Sequence, residues 1–360
     1  MNWTDFLAQQ GVRSGFLDFG DPDGELASAR SDTVLIPLTD LGLIRVSGEE
    51  AASFLHNLLT NDVNGLAENS ARRSGMCNAK GRLLASFTMW RDDGGLLLAL
   101  AADLLPQVLK KLSMYVLRSK VKLSDESEKT VLLGLSGPRS RAALAGLAGW
   151  GETAPSAPLT LKRFGQGQAI DLGGDRHLLA VSAIEAPTVW QQLTQLARPA
   201  GLAAWHWLEI AAGTPRVTAA TQEEFVPQMV NFELVGGISF NKGCYPGQEI
   251  VARTQYLGKI KRRMYRARIE SALPSPGAPL FAPETGDQAC GNIVLGAPSP
   301  QGGFEALAVV QSSCHAAGDV HLDSPDGPRL SFLPLPYQAE LAPIESPEAA
   351  GQTDGTAEIG

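Results

Sequence analysis

The sequence predicts an α+β protein of several domains, and three observations support this prediction. Its 360 residues are enough for two or three compact domains, each with its own core. From residue 131 onward the apolar runs follow the order β-α-β-β-α, which is typical of a ferredoxin-like unit. From residue 262 to residue 335 short β-like runs alternate with clusters of proline and glycine, which indicates a C-terminal β-barrel or sandwich.

The first predicted domain covers residues 31–127 and follows a leader, residues 1–30, that we expect to pack loosely. Apolar runs and period-two alternation predict its strands, and a helix start at 47–50 predicts its first helix. The predicted strands lie at residues 34–38, 43–46, 82–91, 95–101 and 120–123, and a second helix lies at 103–115.

The remaining chain is predicted to form two more domains and a tail. Residues 128–213 form the ferredoxin-like domain, and the turn-rich residues 214–261 are expected to complete the first domain. Residues 262–338 form the β-barrel, and the acidic, small residues 339–360 are expected to be disordered. Within the ferredoxin-like domain the predicted strands lie at 131–135, 168–172 and 177–182, and the predicted helices at 139–148 and 187–196.

Composition predicts an ordinary globular protein of the cytoplasm. Hydrophobic residues make up 44% and charged residues 19%, and no apolar run reaches the roughly 20 residues that span a bilayer. The start of the chain lacks the charged and apolar regions of a signal peptide. The four cysteines show no CxxC or Cys/His ligand spacing, so structural disulfides and a permanent metal or cluster site are not expected.

Positive charge is concentrated in one segment of an acidic chain. Between Lys242 and Arg268 there are eight basic residues and one acidic residue, whereas the whole chain has a net charge of -8. This segment predicts a patch for an anionic ligand, and a strand pair with basic side chains on its wet face is the open alternative. The candidate patch residues are Arg253, Lys259, Arg262 and Arg263.

The stretch from Asn241 to Glu249 has the composition of a functional site. Its single cysteine, Cys244, is a candidate nucleophile or transient ligand for sulfur or metal, and Lys242 is expected to favour its thiolate. The alternative is a tight loop in which the cysteine packs as a small hydrophobe. The residues expected to shape the loop or to orient the thiol or a ligand are Gly243, Tyr245, Gly247, Gln248 and Glu249.

The segment Gly236–Glu249 resembles the signature of the YgfZ family, which consists of folate-binding relatives of the glycine-cleavage T-protein, an aminomethyltransferase. Four further motifs occur in the order in which the family has them, so the resemblance covers most of the chain. These are Phe54–His56 with Thr60–Val63, then Cys77–Arg82, then Tyr115 with Ser119–Val121, and Pro334–Tyr337.

The resemblance implies a T-protein-like ring of three domains around a central cavity that holds tetrahydrofolate or a derivative. It also implies a role in maintaining iron-sulfur enzymes, including those that thiomethylate tRNA, with Cys244 as the key functional residue. The expected partners are therefore a reduced folate and iron-sulfur enzymes or their assembly factors. The candidate residues for the folate cavity are Asn61, Asp62, Lys80, Arg82 and Glu209.

Two departures from the T-protein pattern leave open whether the chain is an enzyme. Where T-proteins have a paired Asp-Asp, this chain has Ala85-Ser86, and neither side chain can act as a carboxylate base. The glutamate that the family uses for the pterin corresponds to Ala211, so Glu209 is the candidate substitute.

Three functions follow from these observations. The first is a folate-binding accessory protein that supports iron-sulfur enzymes through Cys244. The second is a folate-dependent aminomethyl or one-carbon transferase, for which Asp62 would be the base. The third is an RNA-binding module that uses the basic segment, although the acidic remainder of the chain disfavours RNA.

Simpler roles are open for several residues of the first domain. Asn61 and Asp62 are expected to cap a turn, and Lys80 and Arg82 either face the ligand or lie on a hairpin surface. Cys77 is expected in the core, and His56 is expected at the edge of the core rather than to act as a base.

Overall fold

The computed structural model describes residues 2–13, 18–151, 157–165, 167–256 and 260–337. The chain folds into three β-sheets with helices packed against them, which confirms the predicted α+β class. The helices are α1 (Trp3–Gln9), α2 (Pro22–Ser31), α3 (Ala51–His56), α4 (Leu105–Val116), α5 (Ser140–Ala145), α6 (Ala186–Leu193), α7 (Leu202–Ala211), α8 (Gln248–Tyr256) and α9 (Ser312–Ala317).

The first sheet has five strands in the order β3-β4-β5-β2-β6, and every neighbouring pair is antiparallel. Its central strands are almost entirely buried, because helices and the other sheets cover both faces. These strands are β2 (Leu41–Ser47), β3 (Ala71–Cys77), β4 (Leu83–Asp92), β5 (Gly95–Ala101) and β6 (Lys122–Asp125).

The second sheet has six strands in the order β11-β1-β7-β10-β9-β8. Its strand β1 precedes the whole first sheet in sequence, yet it pairs with β7 and β11. The expectation that residues 34–38 belong with the first domain's sheet was therefore wrong, because their backbone pairs with residues 133–136. The strands are β1 (Val34–Pro37), β7 (Thr130–Ser136), β8 (Leu161–Phe164), β9 (Gly167–Gly173), β10 (Arg176–Ser182) and β11 (Arg198–Pro199).

The third sheet is antiparallel throughout and corresponds to the predicted C-terminal β unit. Its order is β16-β13-β14-β15-β12-β17. An isolated antiparallel bridge pairs His321, in the edge strand β16, with Arg329, which lies shortly before the other edge strand, β17. The strands are β12 (Arg262–Ile269), β13 (Pro279–Phe281), β14 (Gly291–Pro298), β15 (Phe304–Gln311), β16 (His321–Leu322) and β17 (Ser331–Leu333).

One apolar core joins the three sheets. Leu98 of the first sheet, Leu178 of the second and Leu307 of the third belong to the same cluster of buried side chains. Helix α7 lies at this junction, and its Trp205 and Trp207 are both buried there. The three sheets therefore pack around one shared core.

The leader is not loosely packed where the structure describes it. Phe6 and Leu7 of α1 are buried in the core of the second sheet, and Leu26 and Ala29 of α2 are buried in the core that joins the sheets. That expectation was wrong because both helices present an apolar face, whereas the prediction gave more weight to the loop at 19–24. The predicted tail, residues 339–360, lies outside the described residues, and the domain limits stay a prediction.

Residues 214–256 cross the first sheet without adding a strand to it. The N–H groups of Val217 and Leu83 donate hydrogen bonds that connect this segment to β4, and the Ser239 N–H donates one to the Thr60 carbonyl. This path places the cysteine loop, defined as residues 241–249, next to the loops of the first sheet.

Candidate functional site

The cysteine loop packs against the turn between β3 and β4, backbone to backbone. A Cβ atom on Gly247, which has φ +78°, would lie 2.3 Å from the Asn78 carbonyl oxygen and 2.6 Å from Gly81 Cα. Gly81 has φ +70°, and a Cβ atom there would lie 3.0 Å from Ile250 Cβ and 3.2 Å from the Gly247 carbonyl oxygen. Two motifs that are about 165 residues apart thus form one structure, and each needs its glycine for that contact.

Helix α8 begins inside the cysteine loop and orients it. The Tyr245 N–H donates to Gln248 Oε1 at 3.2 Å, and the Gln248 N–H donates back to the Tyr245 carbonyl at 3.1 Å. The buried Gln228 donates to the Val251 carbonyl at 2.7 Å and so fastens α8 to the preceding segment. Tyr245 is buried, and its burial raises the pKa of its hydroxyl. Tyr245 and Gln248 therefore hold the loop rather than face outward.

Lys242 turns its ammonium group inward. Nζ donates to the Leu59 carbonyl at 2.6 Å and to the His56 carbonyl, and it lies 4.9 Å from the centre of the Tyr245 ring. Burial lowers its pKa to about 8, although the charges of Asp62 and Cys244 partly oppose this shift. Lys242 is therefore a cation at neutral pH that pins α3 to the cysteine loop.

This pKa gives a prediction for stability as a function of pH. In the unfolded chain Lys242 keeps its proton up to about pH 10.5, whereas in the folded protein it loses the proton near pH 8. The unfolded state binds more protons between these values, so the contribution of Lys242 to stability should rise as the pH rises from 8 to 10.5. We therefore compare the free energies of unfolding of the wild type and of Lys242→Met. The wild-type value minus the variant value should increase between pH 8 and pH 10.5 and should stay constant below pH 8.

Urea denaturation at several pH values measures this difference. Lys110→Met, at an exposed position of α4, controls for the general effect of removing a lysine. The prediction is contradicted if the difference in the free energy of unfolding between the wild type and Lys242→Met does not change between pH 8 and 10.5.

Cys244 is exposed, whereas Cys77, Cys290 and Cys314 are buried. Burial raises the pKa of Cys77 to about 12, so this thiol stays protonated and packs in the core as expected. Gly243 beside Cys244 lies close to His56, since a Cβ atom there would be 3.9 Å from His56 Nε2. Glu249 is exposed at the start of α8. The exposed thiol on an anchored loop is open to reagents, ligands and partners.

Thr60 and Asn61 support the segment that leads into the cysteine loop. Thr60 is fully buried, and its hydroxyl donates to the Gly237 carbonyl and accepts from the Gly75 N–H, both at 2.7 Å. Asn61 Nδ2 donates to the carbonyls of Arg73 and Gly236, also at 2.7 Å. Asn61 Nδ2 is thus occupied by backbone carbonyls, and its place among the folate candidates stays a prediction.

Thr60→Val should destabilise the protein, because valine keeps the shape but leaves a buried N–H and a buried carbonyl without a partner. We expect a loss of about 2 to 4 kcal/mol in the free energy of unfolding, measured by urea denaturation. Thr160→Val is the matched control, since the Thr160 hydroxyl donates to the Ala157 carbonyl at an exposed position. Equal losses for the two variants would contradict the buried role of Thr60.

Asp62 caps a turn, as expected from the sequence. Its Oδ1 accepts from the Gly65 N–H at 3.1 Å, and its Oδ2 lies 3.1 Å from Arg72 Nη1. Burial by itself raises the pKa of Asp62, but the Gly65 hydrogen bond and the Arg72 charge hold that pKa below its usual value. His56 Nδ1 lies 3.1 Å from Oδ1, and His56 is half-buried beside the core, as predicted. Asp62 is therefore a poor proton acceptor.

Lys80 and Arg82 lie on the surface of the β3–β4 turn. Asn78 Oδ1 accepts from both of their N–H groups, at 2.9 and 3.0 Å, which holds the turn. The Arg82 guanidinium donates to the carbonyls of Glu223 and Glu224. The hairpin-surface interpretation applies to both residues, and neither lines the interior cavity.

An interior cavity of about 60 Å³ lies between the first sheet, Leu178 of the second sheet and helix α7. Glu209 lines it, as do Arg73, Arg216 and Phe232. Glu209 Oε2 lies 2.9 Å from Arg216 Nη2, but this buried oxygen makes no hydrogen bond. Glu209 is the one folate candidate from the sequence that the structure places at the cavity.

Arg216 separates the cavity from a second pocket of about 400 Å³. It is almost fully buried, and it contacts Glu209 on one side and Asp40 Oδ2 at 2.6 Å on the other. His206 also lies 2.7 Å from that Asp40 oxygen. Sequence reasoning missed Arg216 and Arg73, because Arg73 stands beside another arginine and a serine and Arg216 follows a proline, and neither local sequence indicates a side chain that faces a cavity.

The predicted anion patch is not one surface. Arg263 is buried, donates to the Gln228 carbonyl at 2.8 Å and forms an ion pair with Glu233, so its place in the patch was wrong. Arg262 donates to the Ala289 carbonyl at 3.3 Å. Arg253 is exposed on α8, and Lys259 lies outside the described residues. The acidic partner of Arg263 lies 30 residues away in sequence, outside the counted segment, which is why the charge count overestimated the patch.

A buried polar segment before the cysteine loop was also missed. Asn231 is fully buried with φ +55°, and its Nδ2 donates to the Met264 carbonyl at 2.8 Å, which connects the loop segment to the third sheet. The sequence could have predicted this segment, because Gln228, Asn231 and Glu233 stand among apolar residues. Polar side chains in such a run need buried hydrogen-bond partners. Together with Gln228 and Glu233, Asn231 holds the cysteine loop between two sheets.

The described residues contain neither a metal-binding cluster nor a membrane-spanning helix. No group of three or more His, Cys, Asp or Glu side chains among them is arranged to hold a metal ion. Likewise, no helix in the described part of the chain has the length and apolar character to cross a membrane.

Comparisons with known proteins agree on a family. The sequence profile described as the GCVT N-terminal domain matches residues 20–238. The tRNA-modifying protein YgfZ of Escherichia fergusonii is 30% identical over 322 residues, which cover 89% of this chain and 98% of that protein, and the YgfZ of Shigella boydii gives the same values. The glycine cleavage system aminomethyltransferase T of Bartonella henselae has the same fold, with a TM-score of 0.73 at 18% identity over 91% of this chain and 94% of that one.

Proposed function

The chain belongs to the YgfZ family of glycine-cleavage T-protein relatives, and on this premise we propose that it is a folate-binding accessory protein. In this role it supports the assembly or repair of iron-sulfur enzymes in the cytoplasm, including enzymes that thiomethylate tRNA. Its partners are a reduced folate and those enzymes or their assembly factors.

The observation that carries this proposal is the exposed Cys244 on a loop that the fold holds in place. Gly247 packs on the β3–β4 turn, Gln248 closes the start of α8, and Lys242 is anchored to α3, so the thiol has a defined position. A thiolate is the form of cysteine that reacts with sulfur donors and binds metal. We propose that this thiol is the group that acts on the partner.

The residues at the position of the T-protein acid pair favour an accessory role over a transferase. Ala85 is fully buried, and the Ser86 hydroxyl accepts from the Val217 N–H at 3.0 Å, so neither can take a proton from a folate nitrogen. Asp62, the base of the alternative hypothesis, is held by Gly65 and Arg72 away from the interior cavity.

The interior cavity carries groups of the kinds that a folate needs. Glu209, whose buried Oε2 lies beside Arg216 without making a hydrogen bond, can accept from the donor edge of a pterin, and the guanidinium groups of Arg73 and Arg216 can pair its carbonyl. Ligand pockets usually enclose at least about 300 Å³, so binding requires Arg216 to open the cavity toward the pocket at Asp40. When bound, a reduced folate would supply nitrogen atoms that can carry one-carbon units.

The proposal is tested by complementation. In a bacterial strain that lacks its own family member, expression of this chain should restore the thiomethylated-adenosine content of tRNA, measured by mass spectrometry of tRNA digests. No restoration by an abundantly expressed chain contradicts the accessory role. Tetrahydrofolate-dependent transfer from a methylamine donor, abolished by Asp62→Ala but not by Cys244→Ser, would establish the transferase alternative instead.

A further inference from the structure

A basic and apolar patch lies on the surface at the end of helix α4. Between residues 104 and 124 there are five basic residues and no acidic residue, although the whole chain has a net charge of -8. Three of the seven large apolar side chains that are exposed in the described part of the chain also lie there. The α4 patch consists of the basic Lys110, Lys111 and Arg118 and the apolar Met114, Tyr115 and Leu117.

Helix α4 holds the α4 patch in a fixed orientation. Its Leu105, Val108 and Leu112 are buried, and the helix packs on β2 and β6 of the first sheet. Lys110 and Met114 are four residues apart, so they lie together on the side away from that buried face. Met114 is 62% exposed. An apolar side chain is therefore presented to the solvent on a rigid element.

Leu117 is exposed in a strained backbone conformation. It ends α4 with φ +45° and ψ -105°, which a leucine rarely adopts, and it is 87% exposed. It belongs to none of the hydrophobic cores of the described residues. Strained residues cluster at binding sites and active sites. A glycine would suit this backbone and a polar side chain would suit the solvent, so the isolated chain gives no reason for a leucine here.

The basic side chains of the α4 patch have no acidic partner in the described part of the chain. Lys110, Lys111 and Arg118 form no ion pair there, whereas the neighbouring Lys120 pairs with Glu49 at 2.7 Å. A cluster of one charge sign attracts a partner of the opposite sign. RNA would pair these charges, but its bases stack on aromatic rings and leave the leucine and the methionine without a contact. Methionine, tyrosine and arginine are enriched in protein interfaces, so the α4 patch fits an acidic protein better than RNA.

Helix α3 connects the α4 patch to the cysteine loop. At the start of α3, Glu50 Oε2 accepts from the Lys120 N–H at 2.5 Å, and a Cβ atom on Gly48 would lie 2.1 Å from the Lys120 carbonyl oxygen. At the end of α3, the His56 carbonyl accepts from Lys242 Nζ. The helix has six residues and is therefore about 9 Å long. This length is less than the width of a standard protein interface, which covers about 800 Å² on each partner.

We propose that the α4 patch docks an acidic protein, with Met114 and Leu117 in an apolar pocket of that partner and the basic side chains against its carboxylates. That the partner is an iron-sulfur enzyme that thiomethylates tRNA rests on the proposed function. The α4 patch then holds the enzyme at one end of α3, and Cys244 acts on it from the loop at the other end.

Binding of the purified iron-sulfur enzyme that thiomethylates tRNA to the full chain, measured by calorimetry at low and high salt, tests the docking. Leu117→Gly should weaken binding about 10-fold or more, because it removes an apolar anchor. Its unfolding midpoint should be no lower than that of the wild type, because glycine relieves the backbone strain. Lys110→Glu combined with Lys111→Glu should weaken binding and reduce its dependence on salt.

Two matched controls should bind the enzyme like the wild type. Ile184→Gly removes a side chain that is also 87% exposed, at the turn between β10 and α6. Arg30→Glu combined with Arg329→Glu makes the same change in net charge at exposed positions outside the α4 patch.

The outcomes separate the docking from the proposed function. If the wild type binds the enzyme and both patch variants bind it equally well, the docking is wrong and the proposed function stands. The same holds if the wild type restores the tRNA modification but does not bind the enzyme. Failure of both restoration and binding overturns both proposals. Binding of purified tRNA, or self-association in sedimentation, that occurs in place of enzyme binding and is lost in Leu117→Gly assigns the α4 patch to RNA or to a second copy and overturns the protein partner.

Discussion

Cys244→Ser should abolish the restoration of thiomethylated adenosine in tRNA while leaving the protein folded. A serine hydroxyl has nearly the shape of the thiol, but at neutral pH it neither ionises nor binds soft metals or sulfur as a thiolate does. Cys244 is exposed, so its free energy of unfolding should change by no more than about 0.5 kcal/mol. The measurement is the thiomethylated-adenosine content of tRNA in the strain without its own family member, at equal abundance of the two proteins.

Thiol labelling supplies the control for this experiment. Of the four cysteines, Cys244 is exposed and the other three are buried, so brief alkylation of the native protein should label one thiol in the wild type and none in Cys244→Ser. Equal restoration of the tRNA modification by both proteins would make Cys244 a structural residue. Restoration by neither would lead to the transferase assay described above.

Gly247→Ala should disrupt the cysteine loop and lower the stability of the protein. Its Cβ atom would lie 2.3 Å from the Asn78 carbonyl oxygen, and alanine is strained at φ +78°. Backbone strain and forced overpacking each cost roughly 1 to 3 kcal/mol, so we expect the free energy of unfolding to fall by about 2 to 4 kcal/mol. Urea denaturation measures the loss, and the tRNA assay should show reduced restoration because Cys244 is displaced.

Gly318→Ala is the matched control for Gly247→Ala. Gly318 has nearly the same backbone conformation, φ +75°, but no described atom outside its own neighbourhood lies within 4 Å of the position that a Cβ atom would take. The free energy of unfolding of Gly318→Ala should therefore fall only by the cost of backbone strain. This variant should still restore the tRNA modification fully. A loss in Gly247→Ala no larger than in Gly318→Ala would show that the contact with the β3–β4 turn is not needed.

Local sequence patterns were sufficient for much of this protein. Alternating apolar residues predicted β4 and β5 to within one or two residues, and the order of elements predicted the α+β class and the C-terminal β unit. The glycines, the lysine and the cysteine of residues 241–249 predicted the candidate site, and the burial of Cys77 was predicted correctly. These predictions were possible because backbone conformation and amphipathic periodicity depend on residues that are close in sequence.

The tertiary structure alone decided which of these segments meet. It paired β1 with a sheet that lies about 100 residues downstream, placed Gly247 on Gly81, and gave Arg263 a buried carboxylate partner in Glu233. The sequence by itself determined which residues carry reactive or charged groups. Whether a charge is paired, exposed or turned into a cavity depends on contacts between distant segments, and local periodicity contains no information about those contacts.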